Sequence, residues 1–393
     1  MKILMPILHY PPVIGGFEIF TQNVAERIGK TDDVFVVTSR VVNTPKKEEK
    51  DRLKIFRTSP QVLKDLAYTK PWFLVGAMIW ILFKSIIIVK KEKIDLIHAQ
   101  KSAGFLSGLL GYLLSKITKT PYIITIQSAD FSIYRPHLNI KIIKGISGAI
   151  EKATIKNAAI CHSVSNYLKK HLEKYSPGKI IVIPNGVNQG VFKPDFNKEE
   201  TRKKLGFSTK NLIMACDSRL ENKNGTHDVI EAANYFKNDI GDFKVIVVGD
   251  GPDRKKIEAM VDKYELKDRV FLLGRVQYSD LPKLMAACDI FIRPSLAEGF
   301  GISFIEAMAC GVGVIATPVG GIVDFLKDRE NGLFCEPGNP KDIAEKIKLL
   351  LVDKELFNRL VNNGLKTIKE EYNWDKISEK IKEIYQQILN STS

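Results

Sequence analysis

Cysteine is scarce and scattered in this chain. Its 393 residues include five, Cys161, Cys216, Cys288, Cys310 and Cys335. None forms a C-x-x-C pair, and none clusters with histidine at metal-ligand spacing. A disulfide framework and a zinc site are thereby excluded as organising elements, and a reducing compartment fits best. The opening MKILMPILHY has no extended apolar segment with a small-residue cleavage site, so it reads as a first β-strand at the mature start. Short repeats and low-complexity tracts are also missing. The uncharged run PWFLVGAMIWILF, residues 71–83, is shorter than the about 20 apolar residues a spanning helix needs. Two readings of it stand: a helix buried in a domain, or one that also touches a bilayer. Lys70, Lys84, Lys90, Lys91 and Lys93 flank it and keep the second reading open.

A true dinucleotide fingerprint is absent too. GVGVIA, residues 311–316, has the G-x-G-x-x-G spacing without its context, because it runs from a helix into a strand. GDGPDR, residues 249–254, follows a strand but lacks the third small residue, and reads as a helix-opening turn near a nucleotide.

What the chain does have is basic charge and alternating α/β patterning. Lys and Arg total 59 against 45 Asp and Glu, a net charge of +14. That balance favours anionic partners: nucleic acid, anionic lipid or phosphorylated small molecules. No basic-aromatic module of the RNP kind is present, so nucleic acid is not expected.

Short apolar runs of strand length alternate with helical patterns, as in a parallel sheet covered by helices, and the pattern occurs twice. In the first half the strands read KILMPIL, DVFVVTS, DLIHAQ, YIITIQS, AAICHSV and KIIVIPNG. In the second they read NLIMACD, KVIVVGD, VFLLG, IFIRPS and GVIATP. Between them NGVNQGVFKPDF, rich in Gly, Asn and Pro, marks a linker near residues 187–195. The expected architecture is two Rossmann-like parallel-sheet domains facing across a cleft, with ligands at the carboxyl ends of strands.

Candidate site residues follow strands. Gly15 and Gly16 open a helix after the first strand, where bared amides suit a phosphate; the plainer reading is a tight turn. In DSRLENKNG, residues 217–225, Arg219 and Lys223 form either a diphosphate clamp or a solvated charged loop. DIFIRPSLAEGFGISFIEAMACG reads as strand, loop and helix. Glu298 lies in the loop, the amides of Phe300, Gly301 and Ile302 at the helix N-terminus, and Glu306 along the helix. Two carboxylates around an amide-lined phosphate seat would suit a sugar nucleotide. The plainer alternative is that Glu298 complements the helix dipole and Glu306 is a surface residue.

These segments, in this order, resemble the retaining glycosyltransferases of glycosyltransferase family 4, with the GT-B fold. EGFGISFIEAMACG is similar to that family's paired-glutamate motif, and IPNGVNQGVF, VVGDGP, CDIFIRPS, GVIATPVGGIVD and ENGLFCEPGNP are similar to its other segments. WDKISEKIKEIYQQIL is similar to the closing helix that crosses back onto the first domain. The resemblance implies domains at 1–188 with 374–393 (acceptor side) and 189–373 (nucleotide-sugar donor side). It implies that Arg219 and Lys223 stabilise the departing diphosphate, that Glu306 binds the ribose and that Glu298 contacts the transferred sugar. Gly15, Gly16 and the amides of Phe300, Gly301 and Ile302 would line the phosphate and sugar site, with no metal and no cofactor besides the donor substrate. His98, Gln127 and Asp130 are the acceptor-side candidates.

Three positions depart from the family pattern. Asn224 stands where a lysine is usual, with Lys223 one residue early. Gln127 replaces the histidine of T-x-H-G-x-D, which removes a proton carrier. Gln100 replaces the second histidine of H-x-H, leaving His98 alone, as acceptor residue or as structural histidine. The expected activity is transfer of a sugar to a glycan or lipid-linked acceptor, by a cytoplasmic protein, with an anionic membrane surface as a further partner. A nucleotide-sugar epimerase on the same fold is the alternative, and a non-enzymatic nucleic-acid-binding protein the remote one.

Overall fold

The computed structural model describes the chain apart from residues 14, 63–70, 102–105, 129–139, 177, 209–211, 218 and 393. It divides into two compact units, Met1–Asn185 with Trp374–Ser393, and Gly186–Asn373. The division thus falls at 185/186, where the sequence suggested 188/189.

The first unit contains β1 (Lys2–Pro6), α1 (Gly16–Ile28), β2 (Asp33–Val41), β3 (Lys47–Lys50), β4 (Leu53–Val62), α2 (Pro71–Glu92), β5 (Leu96–Lys101), α3 (Leu106–Thr118), β6 (Tyr122–Ile126), α4 (Ile140–Asn157), β7 (Ile160–Ser163), α5 (Asn166–Glu173) and β8 (Ile180–Val182). Its sheet has the order β3-β4-β2-β1-β5-β6-β7-β8. All pairs are parallel except β3 with β4. The strand direction of growth reverses between β1 and β5, so loops after those strands flank the switch point where such sheets hold ligands.

The second unit contains α6 (Lys198–Lys204), β9 (Leu212–Asp217), a 3-10 turn (Asn222–Asn224), α7 (Thr226–Phe236), β10 (Phe243–Val248), α8 (Arg254–Lys263), β11 (Val270–Gly274), α9 (Leu281–Ala286), β12 (Ile290–Arg293), α10 (Ile302–Ala309), β13 (Gly313–Ala316), α11 (Ile322–Phe325), β14 (Leu333–Phe334), α12 (Pro340–Val352) and α13 (Lys354–Glu371). Its sheet runs β11-β10-β9-β12-β13-β14, parallel throughout, with the switch between β9 and β12.

The last helix, α14 (Trp374–Thr392), returns to the first unit. Trp374, Ile377, Ile381, Ile384, Tyr385 and Ile388 recur at helical spacing and bury one stripe with Ile3, Met5, Phe20 and Val24. Trp374 packs edge-on to Phe20 at 5.8 Å. The residues that read as a linker are pinned at one point: Val187 N donates to Tyr372 O at 2.9 Å.

Helix α2 is buried along one side only. Ala77, Ile81, Ile88 and Val89 are buried in the first unit's core, while Ile79, Trp80 and Phe83 are exposed. No helix among the described residues is long and apolar enough to cross a membrane.

Candidate functional site

In the second unit, the paired strands β9 and β12 deliver two loops to one place. After β9, residues 219–225 turn through the 3-10 segment. After β12, residues 294–301 lead into α10. The loops are stitched by Leu296 N donating to Lys223 O at 2.7 Å. Gly225 has φ +72, and a Cβ there would sit 2.8 Å from Pro294 C, so only glycine lets the loops approach this closely. A third loop, residues 249–253, packs on the first: Leu220 N donates to Asp250 O at 3.2 Å and Asp253 N to Leu220 O at 3.1 Å. The helix-opening turn read from GDGPDR therefore lies against the cationic loop.

Arg219 and Lys223 are brought together by a residue that sequence reasoning missed. Glu221, with its side chain 10% exposed, pairs with Arg219 Nε at 2.8 Å and with Lys223 Nζ at 3.8 Å. Both cations keep substantial exposure, so a diphosphate could compete with Glu221 for them. Asn224, at the departure from the family spacing, turns inward: its Nδ2 donates to Arg219 O at 2.5 Å. It fixes the backbone that carries Arg219.

Glu298 is oriented by Arg293, the last residue of β12. Arg293 donates to Glu298 Oε2 at 2.6 Å and to Ser303 Oγ at 2.7 Å, and its guanidinium lies 4.5 Å from the Phe304 ring centroid. A buried arginine needs such partners, and its place inside an apolar strand, IFIRPS, was the signal that could have revealed it. The Glu298 carbonyl is held from behind, where Gly321 N donates to it at 3.1 Å. Gly320, at φ +58, lies so close that a Cβ would overlap that carbonyl oxygen and come within 2.8 Å of its carbon.

The N-terminus of α10 begins at Gly301, with φ +96. The first amides of a helix lack intrahelical partners and carry the positive end of its dipole. Phe300 contributes only backbone here, because its ring is buried 5.3 Å from Phe325 and 6.1 Å from Tyr372. Glu306 is 4% exposed, which corrects the surface alternative. It accepts a 2.7 Å hydrogen bond from Tyr278 Oη, a second partner the sequence did not reveal. The loops that carry Arg219, Lys223 and Glu298 thus meet beside the α10 N-terminus at the switch point, and Glu306 lies buried further along α10.

Gly15 and Gly16 open α1 in the first unit. The space a Gly15 side chain would fill is taken by the Glu18 carboxylate, 2.6 Å from the Cβ position. His9 Nδ1 lies 3.9 Å from that carboxylate. Burial pushes Glu18 up to about 7 and His9 down to about 4. Glu18 therefore occupies the helix N-terminus only partly charged at neutral pH.

His98 corrects an expectation. It is fully buried and lines no acceptor surface. Its Nδ1 bonds Tyr385 Oη on α14, and its Nε2 meets Thr125 Oγ1 at 2.6 Å. Thr125 in turn reaches His162 Nδ1 at 2.8 Å. Burial holds His98 down to about 3 and His162 down to about 4. Both are neutral: His98 links the sheet to α14, and His162 Nε2 meets Ile183 O at 2.7 Å. Gln127 follows β6 and is 8% exposed; among the described residues its Nε2 has no hydrogen-bond partner. Asp130 lies outside the described residues. The four cysteines whose side chains are described are buried free thiols, and burial raises Cys161, Cys288 and Cys335 to about 12, so none is a ready nucleophile.

Two family models divide the chain. Residues 14–190 match "Glycosyltransferase Family 4" and residues 197–367 match "Glycosyl transferases group 1". An uncharacterized glycosyltransferase of Methanocaldococcus jannaschii is 30% identical over 390 residues, covering 99% of each chain. The chain belongs to glycosyltransferase family 4. This glycosyltransferase is also 29% identical, over 76% of each chain, to the UDP-Gal:alpha-D-GlcNAc-diphosphoundecaprenol alpha-1,3-galactosyltransferase of Escherichia coli. Among solved structures, sucrose-phosphate synthase from Thermosynechococcus elongatus superposes with a TM-score of 0.85 at 24% identity, over 99% of both chains. That likeness fixes the glycosyltransferase's fold as GT-B.

Proposed function

We propose that this glycosyltransferase moves a hexose from a UDP-sugar to a hydroxyl of a lipid-linked glycan precursor, with retention of anomeric configuration and without a metal. The observation that carries the donor reading is the pairing of Arg219 and Lys223 through Glu221, beside the α10 N-terminus and the Arg293-oriented Glu298. The name of the Escherichia coli relative, with its uridine donor and diphospholipid acceptor, supports the choice of substrates.

In this reading the bond between the anomeric carbon and the β-phosphate oxygen breaks as the acceptor oxygen forms its new bond to the same carbon. The acceptor proton passes to the departing phosphate oxygen. Negative charge on the diphosphate grows during this step, so fixed cations and amides lower the barrier by electrostatic preorganisation. Arg219, Lys223 and the α10 amides fill that role. Glu306, steadied by Tyr278, binds ribose hydroxyls, and Glu298 binds sugar hydroxyls. Protein cations take the place a metal would have. Gln127 hydrogen-bonds on the acceptor side and carries no proton, which suits direct transfer to the phosphate.

The test is to incubate the full chain with UDP-, GDP- and ADP-sugars, with and without diphospholipid acceptors, and to measure nucleotide release. Acceptor-dependent UDP release that Glu298→Ala abolishes is the expected result. Absence of turnover with every donor, or unchanged activity in Glu298→Ala, would sink the proposal.

A further inference from the structure

A helix that packs one face on a sheet ordinarily presents polar side chains on the other. Helix α2 does not. Its outward side carries Val75 (45% exposed), Ile79 (62%), Trp80 (51%), Phe83 (61%) and Ile87 (42%). Val75, Ile79, Phe83 and Ile87 step by four residues, so they form one ridge, and Trp80 widens it. The stripe spans about 18 Å along the helix at 1.5 Å per residue. These are five of the thirteen large apolar side chains found exposed among the described residues, and no two of the other eight share an element. Scattered single residues need no explanation; a contiguous stripe does.

The charges at its end indicate what covers it. Lys90, in line with the ridge, and its neighbours Lys91 and Lys93 are exposed. Helix α3 packs against α2, and both lead into parallel strands, so their C-termini lie at the same end of the sheet. There Lys116 of α3 and Lys119, just beyond its end, are also exposed. Five lysines face two acids, Glu92 and Asp95, and the Asp95 carboxylate is occupied by Lys2 N at 2.7 Å.

We propose that α2 is an interfacial membrane helix, which lies flat on an anionic bilayer with Val75, Ile79, Trp80, Phe83 and Ile87 among the acyl chains and the lysine cluster on the lipid headgroups. Apolar side chains beside a basic rim, with tryptophan at the boundary, are what such helices present. The occupant is lipid rather than a second copy for two reasons. A two-fold interface would place this patch on itself, so its five lysines would meet no acids other than the two this patch already carries. One stripe also offers on the order of a few hundred Å², short of the about 800 Å² per partner of a standard interface. Docking deepens the proposed transfer to a lipid-linked acceptor, on which it rests for its purpose. It is measured without donor or acceptor, so its failure leaves the donor reading standing.

The experiment is co-sedimentation of the full chain with vesicles of phosphatidylcholine alone or of phosphatidylcholine and phosphatidylglycerol in equal parts. Binding to the mixed vesicles should exceed binding to the neutral ones at least about tenfold, fall as salt screens the lysines, and drop at least about tenfold in Ile79→Glu/Phe83→Glu. Because both positions are exposed, that variant should keep the wild-type thermal unfolding curve. A second variant, Lys90→Ala/Lys91→Ala/Lys116→Ala, should lose the preference for anionic lipid while keeping the fold. Equal binding by wild type and the Ile79→Glu/Phe83→Glu variant, or no binding to mixed vesicles, would overturn the proposal. So would a lipid-free dimer that Ile79→Glu/Phe83→Glu dissociates.

Discussion

Gly320→Ala tests whether the backbone behind Glu298 sets the position of that carboxylate. The substitution does two things. It places a side chain at φ +58, where an L-residue costs about 1–2 kcal/mol. It also drives a Cβ into the Glu298 carbonyl, which would lie 2.8 Å away at its carbon and closer at its oxygen. Restoring ordinary contact requires a shift on the order of 1 Å in the segment that carries Glu298. Overpacking of this kind costs roughly 1–3 kcal/mol, so the summed loss of stability should be about 2–5 kcal/mol in urea unfolding. A displacement of that size at a substrate-positioning group reduces kcat/KM roughly 100-fold. Gly338→Ala is the control: its φ is +69, but nothing lies within 4 Å of the added Cβ. It should lose only the backbone cost, about 1–2 kcal/mol, and keep wild-type turnover in the nucleotide-release assay. If Gly320→Ala retained the activity of Gly338→Ala, the claim that the Gly320–Glu298 packing positions the carboxylate would fail.

Further outcomes follow from the same geometry. Tyr278→Phe removes the 2.7 Å bond to Glu306, a charge-assisted contact of roughly 1.5–3 kcal/mol; donor KM should rise about tenfold with kcat nearly kept, whereas a stability change with unchanged KM would make Glu306 purely structural. Lys101→Met strips the buried partner from Glu151, which should cost roughly 3–5 kcal/mol in unfolding, and Lys101→Met/Glu151→Gln should recover much of it; a neutral single variant would contradict the pairing. His98 and His162 have folded pKa values below the ordinary 6.5, at about 3 and about 4. Their contribution is therefore fully present above pH 6.5 and is lost as pH falls towards those values. His162 alone accounts for roughly 3 kcal/mol, so thermal unfolding scans should show stability declining below pH 6.5, and less steeply in His162→Asn.

Much of this architecture was legible because parallel strands buried on both faces read as apolar runs. The central strands of both sheets stand out for that reason. The edge strand β3, KEEK, is charged and mostly exposed, so no apolar pattern marks it; β14 has two residues. The rule that ligands gather at the strands' carboxyl ends also singled out Arg219, Lys223, Glu298 and Glu306 as candidates. What escaped were partners distant in sequence. Tyr278 is 28 residues from Glu306, and nothing local to either announces the bond. Glu221 stands between two cations in a charged loop, where its burial is not readable. Which of the two readings of His98 held was not readable, because the covering helix, α14, brings Tyr385 from 287 positions away. The outward face of α2 was ambiguous because an apolar-all-round helix carries no periodicity to say which side is buried.

The central claim is that the loops after β9 and β12 build a nucleotide-diphosphate site. Calorimetric titration of the full chain with UDP tests it most directly. Binding should be saturable and should weaken at least about tenfold, roughly 1.4 kcal/mol, in Arg219→Ala and in Glu306→Ala. Absence of UDP binding, or binding that both variants leave unchanged, would contradict it.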